Sequence, residues 1–117
     1  MDYREKWPKL ADAVGLMQMD NGYCDEGGVR QALERAEAET AGYQVQGRTF
    51  CEITLAQLQA AEAWCAAQSP EDLDAACCGE DITAEGGMGM AMLGIDGDVV
   101  VVPEEVVVVL NYLFDNM

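Results

Sequence analysis

The side chains that could carry chemistry in this chain are cysteines and carboxylates. It contains five cysteines, 22 Asp and Glu residues, one serine and no histidine. The absence of histidine excludes Ser-His and Cys-His catalysis and every metal site that needs an imidazole ligand. The serine, Ser69, stands directly before Pro70 and two acids, so a helix-capping role explains it. We therefore expect a protein that is not an enzyme and has no catalytic residue.

The cysteine spacing does not indicate a metal or redox site. No Cys-x-x-Cys pair occurs, so a zinc knuckle is not predicted, and an odd number of cysteines argues against a disulfide framework. Cys77 and Cys78 fall near the end of a predicted helix among acids, where a thiol pKa is raised and the nucleophilic thiolate is disfavoured. Asp96-Gly97-Asp98 lacks the twelve-residue register of a calcium loop. We expect reduced, mostly buried cysteines, no metal and no cofactor.

The negative charge is concentrated in the second half of the chain. The net charge is −16, and all six bases lie within residues 1–48 beside nine acids, which gives −3 there. Residues 49–117 carry 13 acids and no base. Direct nucleic-acid binding requires a basic footprint, so the second half is not expected to bind nucleic acid itself. The acids could form a solubilising surface, a ligand for a basic surface, or a halophilic adaptation.

Two helix starts in residues 53–79 predict the element around which the chain is organised. Thr54 and Gln57 have the spacing of a capping box, in which each side chain accepts from the other residue's backbone N–H. Ser69, followed by proline and two acids, is a second helix start, and Gly79 fits a left-handed helix stop. These signals predict an αα-hairpin, with helices over Leu55–Ala67 and Pro70–Cys78.

Apolar spacing predicts three further helices. The first covers Pro8–Met19, with Trp7 as a core or rim anchor, and the second covers Glu26–Ala41 after the capping residue Asp25. The third lies within Pro103–Met117, where valines and leucines recur at helical spacing. Valines also favour strands, so a hairpin turn at Pro103 stays open there, although the helical stripe is the preferred interpretation.

Two segments have strand character. Tyr43–Ile53 alternates apolar and polar residues and predicts a short β-hairpin or an extended connection. Ala91–Val102 flanks an Asp96-Gly97 turn, a strong local hairpin signal, although Val100–Val102 could instead pair with the first segment. The expected fold is α+β and mainly helical. Four to five short helices surround the αα-hairpin, with a small antiparallel β element, in one compact domain over residues 1–117.

The chain also carries signals about its compartment. Its longer apolar runs are interrupted by glycine, proline or acids, so no membrane span is predicted. The first residues lack the basic-then-apolar design of a signal peptide. We expect a cytoplasmic protein.

Taken as a whole, the chain resembles the small acidic proteins that phages and mobile elements use against host defence, which include DNA-mimicking anti-restriction proteins and anti-CRISPR proteins. The shared features are the length of 117 residues, the acidic second half, the absence of catalytic residues and the helical pattern. The helix opening Ser69-Pro70-Glu71-Asp72-Leu73 and ending Cys78-Gly79-Glu80 is also similar to segments of small phage proteins. This resemblance implies a non-enzymatic inhibitor that acts in the host cytoplasm on a basic nucleic-acid-binding protein or nuclease complex.

The predicted contacts are carboxylates of the second half. Successive carboxylates on short helices can imitate phosphate spacing and recruit arginine side chains. They are Glu62, Glu71, Asp72, Asp74, Glu80, Asp81 and Glu85. The alternative function is a protein-interaction or regulatory module that binds through an apolar, Met-rich surface over Met88–Leu93. A homodimer is left open.

Overall fold

Helices make up most of this protein in the computed structural model, which describes residues 2–20, 22, 25–78, 81–82, 89–93 and 99–117. That part of the chain contains six helices and five strands. The helices are α1 (Tyr3–Lys6), α2 (Pro8–Asp20), α3 (Glu26–Ala41), α4 (Leu55–Ala67), α5 (Pro70–Cys78) and α6 (Glu104–Asp115). The strands are β1 (Tyr43–Val45), β2 (Arg48–Phe50), β3 (Asp81–Ile82), β4 (Gly89–Leu93) and β5 (Val99–Pro103). The expected α+β, mainly helical fold is confirmed.

Helices α4 and α5 begin and end where the sequence predicts, because their caps are local. The Thr54 hydroxyl accepts from the Gln57 N–H at 3.1 Å, and the Gln57 side chain accepts from the Thr54 N–H at 2.9 Å. The Ser69 hydroxyl accepts from the Asp72 N–H at 3.3 Å. Each bond satisfies an N–H that the helix itself cannot pair. Gly79, the predicted helix stop, lies outside the described residues.

The segment after Pro103 is a helix, as preferred from its spacing. Val106, Val109, Leu110 and Leu113 of α6 are all buried, so the apolar stripe faces the core. Burying this stripe outweighs the strand preference of single valines. Pro103 ends β5 and stands at the N-cap position of α6.

Helix α2 lies at the centre of the molecule. It contacts the other five helices. Helices α4 and α5 pack against α2 and not closely against each other, so the predicted central αα-hairpin is wrong. Its residues Leu10, Ala13 and Val14 are fully buried, and the buried apolar side chains form a continuous cluster that also includes residues of α3 to α6. Trp7 belongs to this core, as predicted, and its indole N–H donates to the Glu37 carboxylate at 2.7 Å.

A buried amide fixes the connection between α2 and α3. Gln18 is 2% exposed, and its side-chain carbonyl accepts from the Asp25 N–H at 2.8 Å. Gly28 passes so close that an added Cβ would lie 2.3 Å from the Gln18 amide nitrogen. Any larger residue at this position would have to displace the Gln18 amide, so packing favours glycine here although glycine weakens the helix.

The strands form two separate antiparallel sheets. Strands β1 and β2 pair with Tyr43 opposite Phe50, and both turn residues, Gln46 and Gly47, have positive φ, as a two-residue primed turn requires. The other sheet has the order β3-β4-β5, with Val101 opposite Ala91. The alternative pairing of Val100–Val102 with the first hairpin is therefore wrong, and the Asp96-Gly97 turn lies outside the described residues.

Two elements were not predicted from the sequence. Helix α1 has only four residues, starts at the cap Asp2 and is tied to α3 because Arg4 and Tyr3 both donate to Glu26. Strand β3 has only two residues, and it forms by pairing with β4. Both elements depend on partners distant in sequence. None of the described helices is long and apolar enough to cross a membrane.

Candidate acidic binding surface

Helix α5 holds three of the predicted contacts in a fixed array. Glu71 and Asp72 lie in its first turn, where negative charge is favoured by the helix dipole, and Asp74 follows. Glu71 is exposed, and Asp72 and Asp74 are half-buried. The opposite side of the helix is anchored, because Leu73 belongs to the core and α5 packs against α2. The carboxylates are thus carried by a capped helix on a rigid support.

Glu62 has a structural role in addition to its predicted one. Its two carboxylate oxygens accept from the backbone N–H groups of Lys9 at 2.9 Å and Leu10 at 2.8 Å. These N–H groups belong to the first turn of α2, so they have no partner within the helix. The residue before α2 is Trp7, which has no side-chain oxygen that could cap the helix. Glu62 therefore caps a helix that lies more than fifty residues away in sequence. A contact between Glu62 and a partner stays a prediction.

The structure adds two acids from α2 to the surroundings of these residues. Burial is the main cause of the raised pKa of Cys78, at about 11, and the charges of Asp74 and Asp20 raise it further. Asp20, at the end of α2, therefore lies near the same thiol as Asp74 of α5. In the same way, burial is the main cause of the raised pKa of Cys65, and the charges of Glu62 and Asp12 raise that pKa further. These α2 acids were not among the predicted contacts, because they lie within residues 1–48, where all six bases are found.

The described cysteines of this region are held as thiols. Cys65 is 1% exposed, and burial raises its pKa to about 12. Burial also raises the pKa of Cys77, and the Cys78 thiol donates to the Leu16 carbonyl at 3.0 Å. A raised pKa removes the thiolate that nucleophilic catalysis or metal binding would need. Among the described residues, no group of three or more potential ligands is placed to hold a metal ion.

The described ion pairs use acids of α3 and not the acids of α5. Both ion pairs between described residues join α1 to α3: Arg4 with Glu26, and Lys6 with Glu37 at 3.0 Å. Arg35, also on α3, lies within 3.4 Å of the Asn116 side chain. Cations thus neutralise acids on the α1–α3 side, and the acids of α5 are not part of these pairs. The bases are not fully separated from α5 in space, because Arg4 and Lys9 line a cleft together with Pro70 and Leu73 at the start of that helix.

Of the remaining predicted contacts, the structure describes the position of Asp81. Asp81 lies in β3, beyond the C-terminal end of α5, whereas Glu71 and Asp72 lie at its N-terminal end. Nine helical residues separate these ends by about 13 Å, at about 1.5 Å per residue. Glu80 and Glu85 fall outside the described residues, as does Met88 of the Met-rich segment.

Comparison with protein families, curated proteins and solved structures finds no match for this chain. A binding surface is therefore inferred from charge and geometry. Three carboxylates are carried by α5, and the described ion pairs use acids of α3 instead. Such an array is chemically suited to receive guanidinium or ammonium groups.

Proposed function

We propose that this protein is a non-enzymatic inhibitor that binds the basic surface of a nucleic-acid-handling protein, of the anti-restriction or anti-CRISPR type. The observation that carries the proposal is the array of Glu71, Asp72 and Asp74 on one capped, core-anchored helix. Carboxylates that are already held in place lose little conformational freedom on binding, and this pre-organisation favours affinity.

The charge of the chain supports the same conclusion. Surfaces that bind nucleic acid present lysine and arginine at phosphate spacing, and arginine pairs with a carboxylate through two parallel hydrogen bonds. The charge of −13 in residues 49–117 attracts such a surface over a long range and speeds the encounter. An inhibitor that occupies the basic surface prevents nucleic acid from binding there.

The test is capture of partners by three forms of the protein. One is unchanged; the second carries Glu71→Lys, Asp72→Lys and Asp74→Lys. The control carries three lysine substitutions at exposed acids outside α5, so its net charge changes by the same amount. The control positions are Glu5, Glu34 and Asp115. Glu37 is unsuitable as a control because Trp7 and Lys6 both bind it.

The unchanged protein and the control should capture the same nucleic-acid-handling protein from a bacterial lysate. Charge reversal on α5 should reduce that binding at least tenfold, and added nucleic acid should release the partner. Because the first-turn acids stabilise α5 by about 0.3–1 kcal/mol each, thermal melts must show that the variant is folded. Equal capture by all three folded proteins would show that the acids only solubilise the molecule, and the Met-rich surface would become the leading candidate.

A further inference from the structure

Strand β5 forms an edge of the three-stranded sheet that the described elements leave uncovered. It is the last strand in the order β3-β4-β5 and pairs with β4 on one side. Helices α5 and α6 each contact both β4 and β5, so they lie across one face of the sheet and not along its edge. An edge strand presents a row of backbone N–H and C=O groups to any strand that approaches it.

The side chains of β5 do not protect this edge. Val100 and Val102 are buried against the helices, whereas Val99 and Val101 are 58% and 64% exposed. No charged residue occurs in Val99–Pro103, and only the terminal proline lacks an N–H. Soluble proteins normally protect an edge with lysine, inward-facing charge, bulges or a covering segment. An uncharged edge with exposed valines is instead suited to pairing with an added strand.

The charges around β5 select the kind of strand that fits. Glu104 and Glu105 follow the strand directly, and both are exposed. Residues 80–117 contain eight acids and no base. A second copy of this chain would bring the same acids to the edge and be repelled, whereas lysine or arginine at the ends of an incoming strand would be attracted.

We propose that β5 binds an extended segment of a partner protein by strand addition, and that this segment has apolar side chains at alternate positions and basic residues at its ends. Backbone hydrogen bonds to β5 would supply affinity, and contacts with Val99 and Val101 would fix the register. This site depends on backbone hydrogen bonds to β5 and not on the carboxylates of Glu71, Asp72 and Asp74, so either site can fail without the other.

The probe is a capped synthetic peptide, KVTVTVK, titrated into the full-length ¹⁵N-labelled protein. Chemical-shift changes should centre on the amides of Val99–Val102 and on the adjacent strand β4. The acid-ended peptide EVTVTVE should bind at least tenfold more weakly. A KVTVTVK peptide N-methylated at alternate residues along its pairing edge should also lose binding, because it cannot donate hydrogen bonds to β5.

A matched pair of protein variants provides the complementary test. Val101→Lys places a cation at the exposed edge and should reduce peptide binding at least tenfold. Val108→Lys makes the same change on the exposed side of α6, where the valine is 37% exposed, and should bind as the unchanged protein does. The N-methylated peptide needs no protein variant, so the test does not depend on the folding of Val101→Lys.

Any of five outcomes would overturn the proposal. The acid-ended or N-methylated peptide could bind as well as KVTVTVK, or Val101→Lys could bind it unchanged. The shift changes could centre on Glu71 and Asp72, which would indicate simple charge attraction to α5. The unchanged protein could form a dimer that Val101→Lys dissociates, which would show that a second copy covers β5.

Discussion

The capping of α2 by Glu62 can be tested by Glu62→Ala. The substitution removes two hydrogen bonds to a charged acceptor, at 2.9 Å and 2.8 Å, from backbone amides of Lys9 and Leu10. Hydrogen bonds to charged groups contribute about 1.5–3 kcal/mol each, and the lower end applies because water can reach a helix start. We therefore expect a loss of about 2–4 kcal/mol in the free energy of unfolding. Glu62→Gln keeps one acceptor oxygen and should lose about 1–2 kcal/mol.

Urea titration and thermal melts measure this loss. For a domain of this size each kcal/mol lowers the melting temperature by roughly 3–6 °C, so Glu62→Ala should melt on the order of 10 °C lower. The control is Glu34→Ala, at an exposed position of α3, which has the same change in charge and helix propensity and should stay within about 0.5 kcal/mol of the unchanged protein. If the two variants lose equal stability, Glu62 does not cap α2.

Three further predictions concern two glycines and two cysteines of the helices. Gly28→Ala should lower the free energy of unfolding by about 1–3 kcal/mol in urea titrations, because its Cβ would lie 2.3 Å from the Gln18 amide nitrogen. Gly15→Ala has open space around its Cβ and should raise the free energy of unfolding by up to about 1 kcal/mol. Cys65→Ser should lower the free energy of unfolding by about 1–3 kcal/mol, since it buries a hydroxyl in an apolar site, and an unchanged midpoint would contradict this. The pKa of Cys78 is raised to about 11. Below pH 9 its alkylation should therefore be about 100-fold slower than that of a thiol in the unfolded chain. The alkylation rate should still rise towards pH 11, because the thiolate forms there.

The helices were predictable where their signals are local. The capping box at Thr54 and the start at Ser69 depend on residues within one turn, so the observed bounds of α4 and α5 agree with the sequence. The choice of helix for α6 was also made correctly, because the apolar stripe continues through Leu113. In each case the information needed to place the helix lies within it or directly beside it.

The features that depend on distant residues were not predictable in the same way. Nothing in the sequence near Glu62 shows that its carboxylate caps α2, because the two elements meet only in the folded chain. The pairing of β3 with β4 and the solvent-facing side of β5 likewise arise from packing. Composition located the negative charge in the second half, whereas the combined effect of Asp74 and Asp20 on Cys78 arises only in the folded chain.

The most direct test of the account is the salt dependence of binding between this protein and a captured nucleic-acid-handling partner. Raising ionic strength from 0.01 M to 0.15 M shortens the Debye length from about 30 Å to about 8 Å, which weakens a charge-driven complex. The account predicts a Kd that rises steeply with salt for the unchanged protein and the Glu5, Glu34 and Asp115 control. It predicts at least tenfold weaker binding after reversal of Glu71, Asp72 and Asp74. A Kd that ignores both salt and reversal of the α5 acids would contradict it.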